Sequence, residues 1–403
     1  MKRLLSAVAA ALCLIACNDD STSYTTIKPT TDGDNSTYYT LPAGYETASV
    51  DSAILVLKSV ASGVETTYKL GDDNTEIRIE DGLYNVSFVV YTTRTIGENE
   101  ELKQTLRDIR NNVQISGGEI YLNLSPKAVS EGQGFLFAEV CLNAALAEGI
   151  KYDLYSSWFR IVNNSTDTLD ASGLCIIESE FLTVRKYDYQ PDVMGSAFAV
   201  DAIYRIPKGS STLVAPGHTL LICDQAYNHQ ENNTESFDLS KADFEWYDET
   251  ERNYDIDNPD VPNLERIYCF SNTVWTPNTQ GNHAYALAYI SVDDETFLND
   301  YKYTYSYTFT KGDFSREMSS DCYMIPNDWI VDFVNFAPST EYVWNVGDQS
   351  LDASYVSFGE TGTDKNRLGK SARRKYADGK FVDTNDSAND FELTERGDPY
   401  YEF

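Results

Sequence analysis

Closely spaced carboxylates are the first feature of this sequence that could do chemistry. Asp255, Asp257 and Asp260 lie close together in one Pro-containing stretch. Oxygen ligands in a flexible loop are those that Ca²⁺ prefers, so this segment is a candidate Ca²⁺ site. It is not an EF-hand, because the Gly at the sixth loop position and the Glu at the twelfth are both missing. The alternative is a solvated acidic loop that holds no ion.

Histidines and catalytic motifs test for enzyme activity. The chain has three His, and His229, two residues before Glu231, is the one compact candidate for a transition-metal ligand or a ligand-binding surface. The sequence contains no H-E-x-x-H, no G-x-S-x-G and no phosphate-binding G-x-x-x-x-G-K-[ST]. Pairs of carboxylates carry no information, because 63 Asp and Glu guarantee that some lie together. We therefore predict that the protein is not an enzyme.

Aromatic side chains make up 13% of the chain and suggest binding rather than catalysis. Trp246 and Tyr247 occur in a long polar stretch. Four further Tyr alternate at the two-residue period of a β-strand, which directs their rings to one side: Tyr301, Tyr303, Tyr305 and Tyr307. Such a surface can bind a sugar, a peptide or another protein. The alternative is a half-buried strand with Tyr at the rim of a sheet.

The segments that must position these residues have the patterns of β-strands. Residues 43–127 contain period-two segments such as Glu76–Glu80 and predict one β-sandwich, with a single helical stretch over Asn99–Ile109. Residues 128–403 contain short strands between long polar loops, and Gln225–Asn263 has almost no strand or helix pattern. We therefore predict a mainly β protein of two β-sandwich domains, with long loop insertions in the second.

The N-terminus predicts where the protein is located. Residues 1–16 have a positive start and an apolar segment too short to span a membrane, as in a signal peptide. The ending Leu-Ile-Ala-Cys resembles the lipobox of bacterial lipoproteins, which implies an acylated Cys17. Asp19 and Asp20 resemble the export signal of Bacteroidetes surface lipoproteins. We therefore predict a flexible tether over 17–42 and a lipid anchor in the outer membrane, facing the exterior. The alternative is an ordinary secretory signal.

The net charge excludes two classes of partner. The formal charge is −32 at pH 7, from 31 Lys and Arg against 63 Asp and Glu. Nucleic acids and anionic lipid surfaces are bound through clustered Lys and Arg, so both are disfavoured. Five Cys remain beyond the signal segment and Cys17: Cys141, Cys175, Cys223, Cys269 and Cys322. Buried free thiols and one or two disulfides both remain open for them.

Longer motifs of the second region resemble a known family. Phe159–Ser165 ends a strand in Asn-Asn-Ser, and Asp383–Phe391 reads Asp-Thr-Asn-Asp-Ser-Ala-Asn-Asp-Phe. Both are similar to motifs of a lamin-tail-like β-sandwich. Together with Val214–His229 and Ser236–Tyr247, they resemble the DUF4876 family of Bacteroidetes surface lipoproteins. The N-terminal region resembles a carboxypeptidase-regulatory, immunoglobulin-like or transthyretin-like module.

The resemblance implies an accessory role. Members of this family tend to be encoded beside TonB-dependent outer-membrane receptors, and no catalytic residues are established for them. We therefore predict a non-catalytic binding component that works with a TonB-dependent receptor in nutrient or metal uptake. The alternatives are a carbohydrate- or Ca²⁺-dependent ligand-binding adhesin, or a structural surface subunit.

Overall fold

Short apolar runs and period-two alternation along the chain produce a structure that is mainly β, which confirms the predicted fold class. The computed structural model describes residues 23–32, 35–41, 45, 47–71, 76–96, 100–128, 134–145, 152–209, 211–251 and 255–403. The predicted signal segment and the predicted lipidation site, Cys17, lie outside these residues. Within the described ranges, no helix has the length and apolar character needed to cross a membrane.

The N-terminal region forms a β-sandwich. Its strands are β1 (Tyr24–Ile27), β2 (Thr30–Asp32), β3 (Asn35–Thr37), β4 (Ser49–Ser59), β5 (Glu65–Leu70), β6 (Ile77–Glu80), β7 (Gly82–Ile96), β8 (Glu100–Ile115), β9 (Glu119–Ile120) and β10 (Lys127–Ala128). One sheet has the order β10-β8-β7-β4-β5 and the other β6-β1-β9. Leu55 and Leu57 of β4 are buried opposite Phe88 and Val86 of β7. They share one core with Ile27 of β1, so the two sheets pack face to face.

The helix predicted over Asn99–Ile109 is wrong. Residues Glu100–Ile115 instead form β8, which pairs with β7 along its length. Leu106 lies opposite Val90, and both side chains are fully buried in the sandwich. A single pair of Leu residues four apart favours a helix only weakly, so the extended pairing with β7 decides the structure.

Part of the segment predicted as a tether belongs to the sandwich. Tyr24–Ile27 forms β1, which is antiparallel to β6 and parallel to β9. Thr25 and Ile27 are completely buried there. The prediction of a tether over 17–42 is therefore wrong from Tyr24 onwards, because composition alone does not reveal a short strand that completes a distant sheet.

The C-terminal region contains two larger sheets. Its strands are β11 (Phe135–Cys141), β12 (Ala144–Ala145), β13 (Tyr152–Asp153), β14 (Trp158–Asn163), β15 (Leu169–Asp170), β16 (Leu174–Ser179), β17 (Ala197–Arg205), β18 (Leu213–Val214), β19 (Thr219–Cys223), β20 (Phe244–Glu245), β21 (Glu265–Cys269), β22 (Ala284–Tyr289), β23 (Lys302–Lys311), β24 (Phe314–Pro326), β25 (Ile330–Asn335), β26 (Ala372–Arg374), β27 (Tyr376–Ala377), β28 (Lys380–Phe381) and β29 (Phe391–Leu393). Its α-helices are α1 (Asp294–Asp300) and α2 (Ser387–Asp390). Short 3₁₀ turns occupy His229–Glu231, Asn327–Trp329 and Lys365–Arg367.

The two sheets enclose the main core of this region. One sheet has the order β20-β19-β14-β11-β26-β29, and the other has β23-β24-β17-β16-β22-β25, with β21 also paired to β17. Phe137 and Phe159 of the first sheet share a core with Tyr204 and Tyr285 of the second. The strands at the centre, such as β14 and β16, are buried at every residue. Central strands covered on both faces read as continuous apolar runs.

A second core lies on the other face of the second sheet, the one that has β23 and β25 at its ends. Phe198 of β17 and Phe333 of β25 pack there edge to face, with ring centroids 4.8 Å apart. Phe297 of α1 and Trp344 of a later loop cover the same face. This outer layer positions the candidate site described below.

The described parts of the long polar stretch Gln225–Asn263, residues 225–251 and 255–263, are ordered, contrary to the predicted lack of structure. It contains the His229–Glu231 turn and strand β20, which extends the sheet beside β19. Phe237 and Leu239 are buried in a cluster with Trp158. Isolated apolar residues in a polar stretch carry no period, so sequence patterns do not detect such a segment.

The last strands close the first sheet around a buried ion cluster. Arg374 of β26 has a side-chain exposure of 1% and donates to both carboxylate oxygens of Asp332, at 2.7 Å each. Asp383 and Asp390 lie 3.5 and 3.6 Å from the same guanidinium. These four residues, the Arg374 cluster, tie β26 to β25 of the opposite sheet.

Candidate ligand-binding site

Strand β23 presents a row of Tyr side chains on one face, as the alternation predicts. Tyr303 and Tyr305 have ring centroids 5.5 Å apart, and Tyr305 and Tyr307 follow at 6.1 Å. Tyr301 differs, because it caps the C-terminus of α1 before the strand begins. Its ring packs against Phe297 and Trp329 instead, at 5.6 and 4.9 Å. The row therefore consists of three of the four predicted residues.

A second aromatic segment crosses this row. Tyr187 stacks on Tyr307 at 4.5 Å, and Tyr189 stacks on Phe181 at 3.9 Å. Tyr189 also lies 6.1 Å from Trp344, with the two ring planes 23° apart. The rings of Tyr187 and Tyr189 thus pack between the rings of strand β23 and Trp344, so neighbouring rings hold each Tyr in place.

Hydrogen bonds fix the crossing segment to the strand. Gln190 and Ser306 exchange two backbone hydrogen bonds of 2.9 Å. The Tyr303 hydroxyl donates to the carbonyl of Pro191 at 2.7 Å. The Trp344 indole N–H donates to the carbonyls of Leu182 and Arg185, at 2.9 and 2.8 Å. The aromatic surface is therefore pre-formed rather than assembled on binding.

These elements enclose a cavity of about 380 Å³, which we call the aromatic cavity. Its lining is mostly apolar and aromatic: Phe181, Lys186, Tyr187, Asp188, Tyr189, Asp192, Val193, Met194, Ala197, Ala199, Tyr303, Trp344 and Val346. The Lys186 ammonium lies 5.0 Å from the centroid of the Trp344 ring. Asp188 accepts a hydrogen bond from the Gln190 side chain at 2.9 Å, and Asp192 accepts one from the Met194 N–H at 3.0 Å.

One partly buried carboxyl group, that of Glu180, supports the Tyr row from below. Glu180 accepts a hydrogen bond from the Tyr305 hydroxyl at 2.5 Å. Burial raises the pKa of Glu180, and the Tyr305 hydrogen bond opposes this shift. Burial and the neighbouring Glu180 both raise the pKa of Tyr305, so its phenol stays neutral at physiological pH. Tyr305 is thus a fixed hydrogen-bond donor, and its buried ring is a rigid support beside the aromatic cavity.

The three candidate Ca²⁺ ligands are not brought together. Asp255 is buried and accepts hydrogen bonds from the Asp248 N–H at 2.8 Å and the Gln225 side chain at 2.9 Å. Asp257 and Asp260 are exposed, and Asp257 accepts one from the Asn263 amide at 2.8 Å. Among the described residues, no group of three or more His, Cys, Asp or Glu is placed to hold a metal ion. The Ca²⁺ prediction is therefore not supported.

His229 and Trp246 are core residues rather than surface ligands. His229 is 1% exposed, its Nε2 lies 3.0 Å from the carbonyl of Gln225, and its ring stacks on Tyr227 at 3.9 Å. Trp246 is fully buried, 4.9 Å from Trp275. Tyr247 is half-buried and does not line the aromatic cavity. The predictions of a binding role for His229 and Trp246 are wrong, because the segment that carries them folds into the core.

Of the residues that line the aromatic cavity, the sequence analysis predicted only Tyr303, and Tyr305 and Tyr307 lie beside the cavity without lining it. Tyr187, Tyr189 and Trp344 come from segments far from β23 in the sequence. The alternation Tyr-Asp-Tyr at 187–189 was the only local signal. The five described cysteines are all buried and free, which settles the choice that the sequence left open.

Comparisons with known proteins show which family the chain is similar to. Residues 215–397 match the family described as protein of unknown function (DUF4876). The chain is similar in structure to a DUF4876 family protein from Bacteroides thetaiotaomicron VPI-5482, with 18% sequence identity and a TM-score of 0.52. The similarity covers 92% of this chain and 94% of that one, and at this identity it shows the fold alone. No curated protein matches the chain. The motifs, the fold and the match over 215–397 agree, and together they support the assignment of this chain to the DUF4876 family.

Proposed function

We propose that this protein is a non-catalytic binding protein of the cell surface, and that it holds a carbohydrate in the aromatic cavity. The observation that carries the proposal is a cavity of about 380 Å³ walled by Tyr187, Tyr189, Tyr303 and Trp344. Pockets for small ligands have volumes of roughly 300–1,000 Å³ and are lined mainly by apolar and aromatic side chains with a few polar groups. The aromatic cavity has this size and this composition.

The chemistry of the lining favours a sugar. The face of an aromatic ring is electron-rich, so it attracts the weakly positive C–H groups on the flat side of a sugar ring. Sugar hydroxyls also need donors and acceptors around that ring. Asp188 and Asp192 are acceptors, and each uses only part of its acceptor capacity in the hydrogen bonds described above. Lys186 supplies a donor on the same rim.

The cellular setting of the proposal rests on the N-terminal sequence. Acylation of Cys17 places the protein on the outer membrane, facing the exterior, and a TonB-dependent receptor takes up the ligand that it captures. Labelling cells with an alkyne fatty acid tests the anchor, and Cys17→Ala should abolish the label. Immunoprecipitation from native membranes tests the partner. Recovery of no outer-membrane receptor contradicts the accessory role but not the binding site.

Binding itself is tested by titration calorimetry against a panel of monosaccharides and oligosaccharides. Tyr187→Ala and Tyr189→Ala each remove one ring, and we expect a loss of about 1–2 kcal/mol, or about 5- to 30-fold in affinity. Tyr121→Ala is the matched control, because Tyr121 is 54% exposed and lies outside the aromatic cavity. The proposal fails if no sugar binds, or if the cavity variants bind as tightly as the control.

A further inference from the structure

A second and larger cavity lies between the two regions of the chain. It has a volume of about 920 Å³, and we call it the cleft. One wall comes from the N-terminal sandwich and includes Asn85, Arg107 and Ser125. The other wall comes from the C-terminal region, largely from residues 342–355. Arg107 donates a hydrogen bond to the carbonyl of Thr384, which ties the two regions together at this position.

The cleft and the aromatic cavity are adjacent. Lys186, Met194 and Trp344 line both of them. The Lys186 ammonium, which lies over the Trp344 ring, therefore stands at the boundary between the two cavities. A molecule seated on the aromatic rings would reach the cleft by extending past Lys186.

The cleft is lined by more hydrogen-bonding side chains than the aromatic cavity. Its lining includes side-chain amides, hydroxyls and phenols: Asn85, Ser125, Tyr342, Asn345, Gln349, Ser350, Ser354 and Tyr355. The Oε1 atom of Gln349 is buried and has no hydrogen-bond partner in the described structure. A buried acceptor without a partner is costly, and a ligand hydroxyl that donates to it removes that cost.

The two Arg residues of the cleft differ in availability. Arg110 donates to both oxygens of Asp108 and to the carbonyls of Leu122 and Asn123, so its role is structural. Arg107 donates one hydrogen bond to Thr384, and its guanidinium has five N–H donors in all. Arg107 is therefore the cationic donor of the cleft best placed to contact a ligand from the N-terminal side.

We infer that the cleft is the second part of the binding site and that the ligand is an oligosaccharide. One sugar unit stacks in the aromatic cavity, and the following units lie in the cleft and contact both regions. This inference rests on the proposed function. An extended peptide fits less well, because residues 342–355 form no strand and offer no sheet edge for backbone pairing.

Titration with a ladder of mono- to hexasaccharides of one glycan tests the inference. The ladders to use are those of cellulose, xylan, mannan and polygalacturonate, chosen by which polymer binds. We expect affinity to rise at least tenfold from the monosaccharide to the hexasaccharide. Arg107→Gln and Gln349→Leu should each weaken hexasaccharide binding about fivefold and leave monosaccharide binding unchanged. Tyr187→Ala should weaken both.

Control variants distinguish the role of the cleft from sugar binding in the aromatic cavity. Arg316→Gln changes an exposed Arg of β24 and should have no effect. Gln349→Leu removes an acceptor that has no hydrogen-bond partner, so no hydrogen bond to Oε1 is lost within the described structure. Equal affinity along the ladder, or no effect of Arg107→Gln and Gln349→Leu, overturns the role of the cleft and leaves the aromatic cavity standing. No binding by any sugar overturns the proposed function itself, and binding of unstructured peptides in place of sugars overturns the ligand class.

Discussion

Replacing Arg374 by Met tests how the Arg374 cluster holds the C-terminal region together. The guanidinium, 1% exposed, donates to Asp332 and to the carbonyls of Phe137 at 2.8 Å and Val382 at 3.1 Å. Met has a similar length but no charge and no donors. The substitution leaves three buried carboxyl groups near one another without a cation. Breaking a buried ion pair from one side costs about 3–5 kcal/mol, so we expect a loss of this size in the free energy of unfolding.

The loss should depend on pH. Burial raises the pKa of Asp332, and Arg374 opposes this shift, so Arg374→Met should raise it further. A carboxyl group whose pKa is higher in the folded state than in the unfolded state stabilises the fold at low pH, and this contribution is lost as the pH rises through the folded-state pKa. The variant should therefore be closer to wild type at pH 5 than at pH 8, by about 1 kcal/mol or more.

Urea denaturation followed by Trp fluorescence at both pH values measures the effect. Lys380→Met is the matched control, because Lys380 is an exposed cation on the neighbouring strand β28. Adding Asp332→Asn to Arg374→Met should recover part of the loss, since it removes one of the unpaired charges. An Arg374→Met protein as stable as the control, or a loss that is equal at pH 5 and pH 8, refutes the reasoning.

Three further predictions concern the same region. Asp352→Ala should lower the free energy of unfolding by about 2–4 kcal/mol, as measured by urea denaturation. The Asp352 carboxylate accepts hydrogen bonds from Asn335 and Ser387, and in the variant these buried donors have no acceptor. Gly347→Ala should cost about 1–3 kcal/mol by the same assay, because a Cβ there lies 2.5 Å from the Phe333 ring. The five described cysteines, all buried, should react with a thiol reagent only after denaturation; rapid reaction in the native state contradicts their placement.

Local patterns predicted some of the strands and one residue of the aromatic cavity, Tyr303. The alternation in β6 and the Tyr row of β23 both appear in the structure, because a period of two residues directs side chains to one face of any strand. The same kind of reasoning failed for β8, where pairing with β7 outweighed a weak helical pattern. It also failed for β1, which is stable only because it completes a sheet with β6 and β9.

The rest of the site depends on contacts between distant segments. Trp344 reaches the aromatic cavity from a loop more than thirty residues after β23, and no property of its neighbours in sequence indicates this. Asp255 shows the reverse case. Its spacing from Asp257 is suited to a cation, yet its carboxylate is used by the N–H of Asp248 and the amide of Gln225. Sequence spacing does not reveal whether backbone groups already occupy an acceptor.

The pairing of β26 with β11 has a consequence for how the protein matures. Glu139 and Val140, near the start of the C-terminal region, pair with Arg373 and Ala372, near the end of the chain. A strand edge on β11 therefore stays open until residues 372–374 of β26 have been synthesised. Folding that depends on such distant contacts is slow. Chains shortened so that they lack β26 and β29 should therefore aggregate through the unpaired edge of β11, whereas chains that contain both strands cover it.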